Sequence, residues 1–582
     1  MYGNRVIKAK NLEYQEIKMK TKKVNWNIIA IVILILYPLR HVNTGIDLMD
    51  AGYSLGNYQY MAVMNETWKL ATYLANLIGF LFTKLPFGKY WIGMNIYTGL
   101  LTGIMAAVSF KYCSYRFQDK KLLLFIAEIV ALSLCWAPAA ILYQYMGYFC
   151  MSAAAIVLYE GIEKEQTKNY IIAGVILGLS VIARMPNITY MSMIVPVWFA
   201  FWLKKEGTFL QLVQKTGWCV AGYLIGLVPG LVWIGIRYGI KAYPDMIVSL
   251  FAMTDQATDY KPTSMITAMF DDYFRYSIWL LFFLLYLAVG LLFFHIIYKK
   301  MRHTVLIAAK SCYIAGFLVV LRICYGRGMF GFDYQSHFSY YKWITVYLLA
   351  TIFLCIYLLF ARKELVQKRI WACFLLVMIF VTPLGSNNQL YPIINNLFLV
   401  APVSVWLWAD TLKPAMMKFP VKAMVYFIGI CMTIQSLLFA FCFIFHDEAD
   451  TQRVKVDIPG STSTTGMYTT VDKAQDLQEL GGYLEQNSLL DSRVILFGNI
   501  PAVSYIFDLE PAIYTTWIDL PSNSQKRLEE ELKSLSPENV IVIMGKEIQT
   551  GEKQALIENW METYHYECAF RNDSFYIYKQ GR

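Results

Sequence analysis

Apolar runs close to bilayer length recur along almost the whole chain, and they limit the folds that it can adopt. A bilayer core about 30 Å thick requires roughly 20 apolar residues in each helix that crosses it. Of the 582 residues, 57% are hydrophobic and only 16% are charged. A soluble domain usually carries about 25% charged residues. The sequence therefore predicts an α-helical polytopic membrane protein.

Basic residues set the expected orientation of these spans. Seven Lys and Arg precede the first apolar run, which predicts that the basic segment 1–26 is cytoplasmic. No small-residue cleavage site follows, so we interpret this run as an uncleaved first span and not as a signal peptide. Every predicted inner loop holds at least two basic residues. About thirteen transmembrane helices result, at roughly 27–39, 90–110, 122–142, 145–158, 170–183, 218–236, 277–298, 305–323, 370–384, 393–408 and 423–445, with one more before Lys204 and one before Arg362.

The spans make up a transmembrane module over 27–445, with long outer loops at 41–89, 237–276 and 324–341. An apolar run at 70–82 is too short to cross the bilayer, so it predicts an interfacial or re-entrant helix. From 446 the composition becomes polar, and alternating strands and helices predict an extracytoplasmic α/β domain over 446–582. Its expected strands are 493–497, 540–544 and two around 571–573, and its expected helices are 471–487, 524–534 and 553–563.

Several classes of function are disfavoured by composition. The basic residues lie mostly in short loops between spans, and no basic patch interleaved with aromatic residues indicates a nucleic-acid partner. Most of the eleven cysteines lie in apolar runs, so no disulfide framework is readable. The six histidines form no His-x-x-x-His pair, and a zinc site has little support.

Acidic residues cluster at two predicted outer positions. Asp47 and Asp50 follow the first span directly, and a carboxylate at the edge of hydrocarbon is costly unless it is solvated, paired or used. They are candidate catalytic residues, and a solvated loop is the alternative. Asp271 and Asp272 precede the predicted span at 277–298, where a metal or base pair competes with a helix cap and acidic first turn. The helix cap is the favoured interpretation.

Cations near the predicted outer face are candidates for binding an anionic ligand. Arg184 ends an apolar helix, and Pro186 forces the chain to turn. A guanidinium at this depth can bind a lipid phosphate through two hydrogen bonds, or it can extend to any headgroup. Arg237 and Lys241 lie at the start of a long outer loop and are candidates for the same role.

These features resemble the GT-C superfamily of integral-membrane glycosyltransferases, which use polyprenyl-phosphate-linked sugars. A cytoplasmic N-terminus, acids just after the first span, about thirteen spans and an outer α/β domain are similar over nearly the whole length. Three short motifs resemble those of bacterial members: Asp50 with Gly52-Tyr53, Tyr143-Gln144-Tyr145, and Arg184-Met185-Pro186-Asn187.

The resemblance implies transfer of a sugar from a polyprenyl-phosphate donor to a glycan, lipid or protein acceptor of the cell envelope. Asp50 is then the general base, and Arg184, Arg237, Lys241, Tyr53 and Gln144 bind substrate. The protein is expected in the cell membrane, in contact with membrane lipids. Several families of the superfamily place two adjacent acids here, whereas Ala51 follows Asp50. Whether Asp47 substitutes, and whether Mg²⁺ or Mn²⁺ is used, stays open.

Other functions in the same envelope pathway remain alternatives. A lipid-linked glycan polymerase or ligase also needs outer arginines. A flippase should carry ionisable residues deep within its spans, but Glu128 and Lys310, which lie within or close to spans, are toward their cytoplasmic ends. A non-catalytic scaffold is the third alternative, because of the missing second acid.

Overall fold

The computed structural model describes residues 26–136, 138–205, 207–256, 263–297, 302–447, 452–546 and 551–581, so the basic segment expected at 1–26 lies outside it except for Trp26. Seven of the described helices are long and apolar enough to cross a bilayer. They indicate a helical, membrane-embedded protein. These candidate spans are Trp91–Arg116, Leu142–Lys164, Phe209–Tyr238, Ile266–Ile296, His303–Gly326, Phe338–Phe360 and Phe419–Cys442.

Thirteen spans are not confirmed, because the other predicted spans occur as shorter helices. Trp26–Leu36 continues as the 3₁₀-helix Tyr37–His41, and the span expected before Lys204 consists of the 3₁₀-helix Met185–Ile194 followed by Val195–Lys204. The run predicted at 122–142 is helical only over Lys121–Leu134. Prolines lie at each of these interruptions, and a proline lacks the N–H that a continuous α-helix needs.

The remaining helices are shorter and connect or flank the seven candidate spans. The expected short helix of the first loop is present as Tyr73–Thr83. Two further 3₁₀-helices, Gln118–Lys120 and Ala415–Met417, lie in connecting turns. The other α-helices are Asp50–Gln59, Glu66–Ala71, Thr167–Ala183, Ala242–Gln256, Val366–Val381, Tyr391–Asn395, Val400–Thr411, Val471–Gln486, Ala502–Phe507, Gln525–Ser534 and Glu552–Thr563, and Ile266–Ile296 lies within the longer helix Ser264–Ile297.

The C-terminal region forms the expected small α/β structure. Strands Arg493–Phe497 and Val540–Gly545 pair in parallel, and Phe575–Gln580 pairs antiparallel with both Val540–Gly545 and Tyr566–Arg571. The parallel pair is joined through helices, as parallel strands require. A separate two-stranded ribbon pairs Arg453–Lys455 with Tyr468–Thr470. The strand and helix predictions for this region agree with the structure to within a few residues.

The first loop and the C-terminal region share one hydrophobic core. Ile46 and Leu55 are buried in the same cluster as Leu496 and Ile506. The helix Asp50–Gln59 packs so closely on Ala502–Phe507 that a Cβ added at Gly52 would lie 2.1 Å from the Cβ of Ala502. The loop that carries the two acids is therefore fixed by residues more than 400 positions away.

Two apolar helices are joined by interlocking glycines. Thr167–Ala183 carries Gly174 and Gly178, and Phe209–Tyr238 carries Gly222 and Gly226, each pair in the Gly-x-x-x-Gly spacing. A Cβ at any of the four would lie within 2.3 Å of a backbone oxygen of the facing helix. Small residues at this spacing let helix backbones approach closely in membranes. These glycines therefore hold the two helices in backbone contact.

The glycine contact predicts that Gly226→Ala destabilises the protein by roughly 1–3 kcal/mol, because the new methyl group meets the carbonyl oxygen of Val175 at 2.3 Å. Gly217→Ala on the same helix is the matched control, since nothing lies within 4 Å of its added Cβ. It should leave the melting temperature unchanged or raise it slightly. Thermal unfolding of both variants in one detergent measures the difference, and equal melting temperatures would contradict the assignment.

Candidate functional site

The structure brings Asp47 and Asp50 together with His446, a residue that sequence reasoning did not select. One ligand atom from each of these side chains lies within 4.8 Å of the other two. The two acids belong to the first loop, whereas His446 follows the last candidate span, Phe419–Cys442. We call these three residues the Asp–His cluster. The cluster therefore contains residues that follow the first apolar helix and a residue that follows the last candidate span.

Asp47 is buried and its carboxylate is engaged by three hydrogen bonds. Its Oδ1 accepts from the backbone N–H of Met49 at 2.9 Å, and its Oδ2 accepts from that of Ala51 at 2.7 Å. His446 Nδ1 donates to Oδ1 at 2.9 Å. The carboxylate thus satisfies free N–H groups at the start of the helix Asp50–Gln59. Asp47 holds the loop in place.

Asp50 differs from Asp47 because its carboxylate forms no hydrogen bond within the described part of the chain. Burial raises the pKa of Asp50 to about 6, and the neighbouring charge of Asp47 adds to this effect. The charge of His446 opposes both. A carboxylate with a pKa near 6 is still ionised at neutral pH and is a stronger base than an ordinary aspartate. Asp50 therefore has the properties of a proton acceptor.

The two acids favour the protonated form of His446. Burial lowers its pKa, but its hydrogen bond to Asp47 and the charges of Asp47 and Asp50 outweigh that effect, so the pKa is raised overall. Its backbone φ is +48°, in the left-handed region that few residues other than glycine adopt. Such a conformation persists only where surrounding contacts enforce it.

Asp47 of the cluster lines a cavity of about 170 Å³ between the first loop and the neighbouring helices. Ala51, Asn95 and Trp136 also line it. Arg40 also lines it, at the end of the 3₁₀-helix Tyr37–His41. The cavity is therefore lined by both an acidic residue, Asp47, and a basic residue, Arg40, either of which can contact a small polar group.

Arg40 is held by neutral groups and forms no ion pair among the residues described. Its Nε donates to the carbonyl of Ala440 at 2.7 Å, and its guanidinium lies 4.6 Å from the ring centroid of Tyr37. Sequence reasoning missed it, although it ends an apolar run as Arg184 does. A guanidinium free of carboxylates is available to an incoming anion.

Aromatic rings form another wall of the cavity. Trp136 stacks on His337 at a centroid distance of 5.1 Å and on Phe445 at 5.4 Å. The ring of Phe445 lies 3.9 Å from that of His446. The indole N–H of Trp136 is buried without a hydrogen-bond partner in the structure. This wall could stack against the apolar face of a sugar ring.

A buried ion-pair network fixes the chain next to His446. The carboxylate of Asp447 is fully buried and accepts from Lys473 Nζ at 2.9 Å, Arg453 Nε at 3.3 Å and Thr469 Oγ1 at 2.8 Å. Lys473 also donates to the carbonyls of Ile46, at 3.0 Å, and His446, at 2.9 Å. We call Asp447, Lys473, Arg453 and Thr469 the clamp. It connects the first loop, the last span and the C-terminal region.

The other predicted site residues lie elsewhere. Tyr53 packs edge to face against Trp517, at 5.6 Å, and so faces the C-terminal region. Gln144 lies in the first turn of Leu142–Lys164, and Arg184 donates to the carbonyl of Gly385 at 2.8 Å. No hydrogen bond or ion pair of the described residues joins the acids to Arg184 or to the remaining two cations, Arg237 and Lys241.

The helix-cap interpretation of Asp271 and Asp272 is wrong. Both residues lie inside the helix Ser264–Ile297, beyond its first turn, because the helix begins earlier than the predicted span. Asp272 is buried and accepts a hydrogen bond from the hydroxyl of Tyr341. No hydrogen bond or ion pair of the described residues joins it to the Asp–His cluster.

The Asp–His cluster fits a divalent cation in donor type. Carboxylate oxygens suit both Mg²⁺ and Mn²⁺, and Mn²⁺ also accepts imidazole nitrogen. Asp50 contributes a free carboxylate, but the proton on His446 Nδ1 is shared with Asp47. Cation binding would therefore have to replace that hydrogen bond.

The raised pKa of Asp50 predicts a pH-dependent stability. Below about pH 4 the carboxyl is protonated in the folded and unfolded states alike. Between about pH 4 and pH 6 the unfolded state loses this proton more readily than the folded state, so the free energy of unfolding falls. Asp50→Asn removes this loss of stability. The quantity to compare is the unfolding free energy of Asp50→Asn minus that of the wild type, both measured with chelator present. This difference should be about 1–3 kcal/mol larger at pH 6.5 than at pH 4. The exposed Asp333→Asn is the control, and a difference independent of pH would contradict the assignment.

The clamp predicts that Lys473→Met destabilises the protein by roughly 3 kcal/mol, because the carboxylate of Asp447 stays buried with one cation fewer. Lys546→Met is the matched control, since Lys546 is half exposed and pairs with the exposed Asp573. Its effect should stay below about 1 kcal/mol. Thermal unfolding, with limited proteolysis of the first loop, measures both. Equal effects would show that the clamp does not hold the loop.

Comparisons with known proteins identify no relative of this chain, so the site is interpreted from its geometry. No family model, curated protein or solved structure matches the chain. The GT-C resemblance therefore remains an expectation from the sequence.

Proposed function

We propose that the protein is a membrane glycosyltransferase that moves a sugar from a polyprenyl-phosphate donor to an acceptor hydroxyl. The observation that carries this proposal is the Asp–His cluster beside a cavity that also presents Arg40. Sugar transfer from a lipid phosphate requires a base for the acceptor and positive charge for the departing phosphate. Asp47 and Arg40 line the same cavity, and Asp50 lies next to Asp47 in the cluster, which supports both roles.

Asp50 is proposed as the general base. The acceptor oxygen bonds to the anomeric carbon of the sugar while the bond from that carbon to the phosphate oxygen breaks. The phosphate leaves with the bonding electron pair, and the acceptor proton passes to Asp50. Because Asp50 forms no hydrogen bond within the described residues and its pKa is about 6, its carboxylate is free to take that proton at neutral pH.

Asp47 and His446 are proposed to position Asp50. Asp47 uses its carboxylate oxygens to order the first turn of the helix Asp50–Gln59. His446 donates a hydrogen bond to Asp47, and its protonated form, which both acids favour, would place positive charge next to the base. The second acid of the sequence pattern is thus proposed to be a positioning residue.

Arg40 is proposed to stabilise the phosphate that leaves. It lines the same cavity as Asp47, whereas Arg184 is bound to the carbonyl of Gly385. A guanidinium can donate two parallel hydrogen bonds to a phosphate. The stacked rings of Trp136 and Phe445 would then contact the sugar.

A divalent cation is proposed as an optional partner of this site. Asp47, Asp50 and His446 would hold it, and it would supply further positive charge for the phosphate. The active side is proposed to be extracytoplasmic, with the N-terminus in the cytoplasm, since the basic residues of the chain favour that orientation.

A flippase for a lipid-linked glycan is the second candidate function. The carboxyl group of Glu128 is completely buried in the helix Lys121–Leu134, and neither of its oxygens has a hydrogen-bond partner in the structure. Ionisable side chains buried among membrane helices often belong to transport pathways.

Transfer from radiolabelled polyprenyl-phosphate hexoses, with product and bound donor measured separately, tests the proposal. Asp50→Asn should reduce turnover by about 10²-fold or more with little change in donor binding. Arg40→Gln should weaken donor binding roughly tenfold, and Arg184→Gln should weaken it less. The exposed Asp333→Asn is the control.

Treatment with chelator followed by Mg²⁺ or Mn²⁺ tests the cation in the same assay. Wild-type turnover in Asp50→Asn would remove the proposed base. Loss of lipid translocation in Glu128→Gln, without any detectable transfer by the wild type, would establish the flippase instead.

A further inference from the structure

Three cations, from the first loop, a candidate span and the C-terminal region, lie close enough for the charges of two of them, Arg237 and Arg527, to act on the third, Lys69. Lys69 belongs to the short helix Glu66–Ala71 of the first loop. Arg237 lies in the last turn of Phe209–Tyr238, and Arg527 lies in Gln525–Ser534. None of the three forms a hydrogen bond or ion pair with the Asp–His cluster among the described residues.

Asn65 brings Arg527 to the first loop. Arg527 donates from an NH1 group to Asn65 Oδ1 at 2.8 Å, and the backbone N–H of Asn65 donates to the carbonyl of Tyr514 at 2.8 Å. The guanidinium of Arg527 lies 4.3 Å from the centroid of the Tyr514 ring. These contacts fix the position of the guanidinium without neutralising its charge.

Lys69 is the most buried of the three cations, with 5% of its surface exposed. Among the described residues its Nζ donates only to the carbonyl of Ala62, at 3.5 Å, which is long for a hydrogen bond. The same Nζ lies 5.0 Å from the ring centroid of Tyr238, the residue next to Arg237. A buried ammonium normally has a carboxylate or several acceptors around it.

The negative charge near these cations is small. Arg527 pairs with Glu531 at 3.9 Å, but neither Lys69 nor Arg237 forms an ion pair within the described residues. Burial lowers the pKa of Lys69, the exposed Glu66 acts in the opposite direction, and the charges of Arg237 and Arg527 lower it further. The group as a whole is therefore positive and incompletely compensated.

The surface next to Arg237 is apolar. Trp233, Ile236 and Ile240 are exposed by 56%, 77% and 88%. Exposed apolar side chains on a helix of bilayer length are expected to face lipid. Trp233 and Ile236 lie on such a helix, and Ile240 follows its end. We expect this surface to face lipid, which would place Arg237 near the level of the phosphate headgroups.

From this juxtaposition we propose that Lys69, Arg237 and Arg527 bind the phosphate of an anionic membrane lipid. The phosphate supplies the counter-charge for Lys69, and the acyl chains lie along Trp233, Ile236 and Ile240. Because Arg527 belongs to the C-terminal region and Lys69 to the first loop, the lipid would stabilise the contact between them. The site is independent of the proposed sugar transfer.

Melting of the full-length protein in maltoside micelles tests the site. Phosphatidylglycerol should raise the melting temperature of the wild type more than phosphatidylcholine at the same mole fraction. Lys69→Met and Arg527→Gln should each weaken the apparent affinity for phosphatidylglycerol roughly five- to tenfold, since each cation contributes about 1 kcal/mol. Lys526→Gln is the matched control, because its side chain is 85% exposed. It should bind as the wild type does.

The folded state of the variants is checked within the same experiment. Without anionic lipid, Lys69→Met should melt at or above the wild-type temperature, because it removes a buried, uncompensated charge. Equal stabilisation by the two lipids in the wild type would overturn the proposal, as would an unchanged response in Lys69→Met and Arg527→Gln. Inorganic phosphate that reproduces the full shift would overturn the assignment to a lipid.

Discussion

The buried carboxylate of Asp447 is the point on which the arrangement of the candidate site depends. A charge without exposure to water is stable only when its partners replace the lost hydration. Lys473, Arg453 and Thr469 provide that replacement, and Lys473 extends it to the backbone of Ile46 and His446. The positions of Asp47 and His446 therefore follow from a network whose cations belong to the C-terminal region.

The C-terminal region was predictable because its signals are local. The strand at 493–497 was located to the residue, since a short apolar run ends at a glycine there. The membrane character was predictable as well, because each long apolar run is itself a local signal. The number of spans was not, because proline-containing runs such as 185–204 combine 3₁₀ and α segments whose crossing of a bilayer cannot be judged from hydrophobicity alone.

The candidate site was only partly predictable. The spacing of Asp47 and Asp50 at the end of an apolar run identified both acids, but their different chemistry depends on the N–H groups of Met49 and Ala51 and on His446, which is 399 residues away. No local pattern contains that information. Arg40 did carry a local signal, since it ends its apolar run as Arg184 does, whereas His446 carried none.

The shared core of the first loop and the C-terminal region has a consequence for biosynthesis. Ile46 and Leu55 are translated early, but Leu496 and Ile506, which bury them, are translated some 440 residues later. A membrane protein is inserted during its synthesis. The apolar side chains of the first loop therefore stay exposed until the C-terminal region has been translated. The acids thus become ordered only in a finished polypeptide. A truncated chain left in the membrane would carry Asp50 without the contacts that hold it in place.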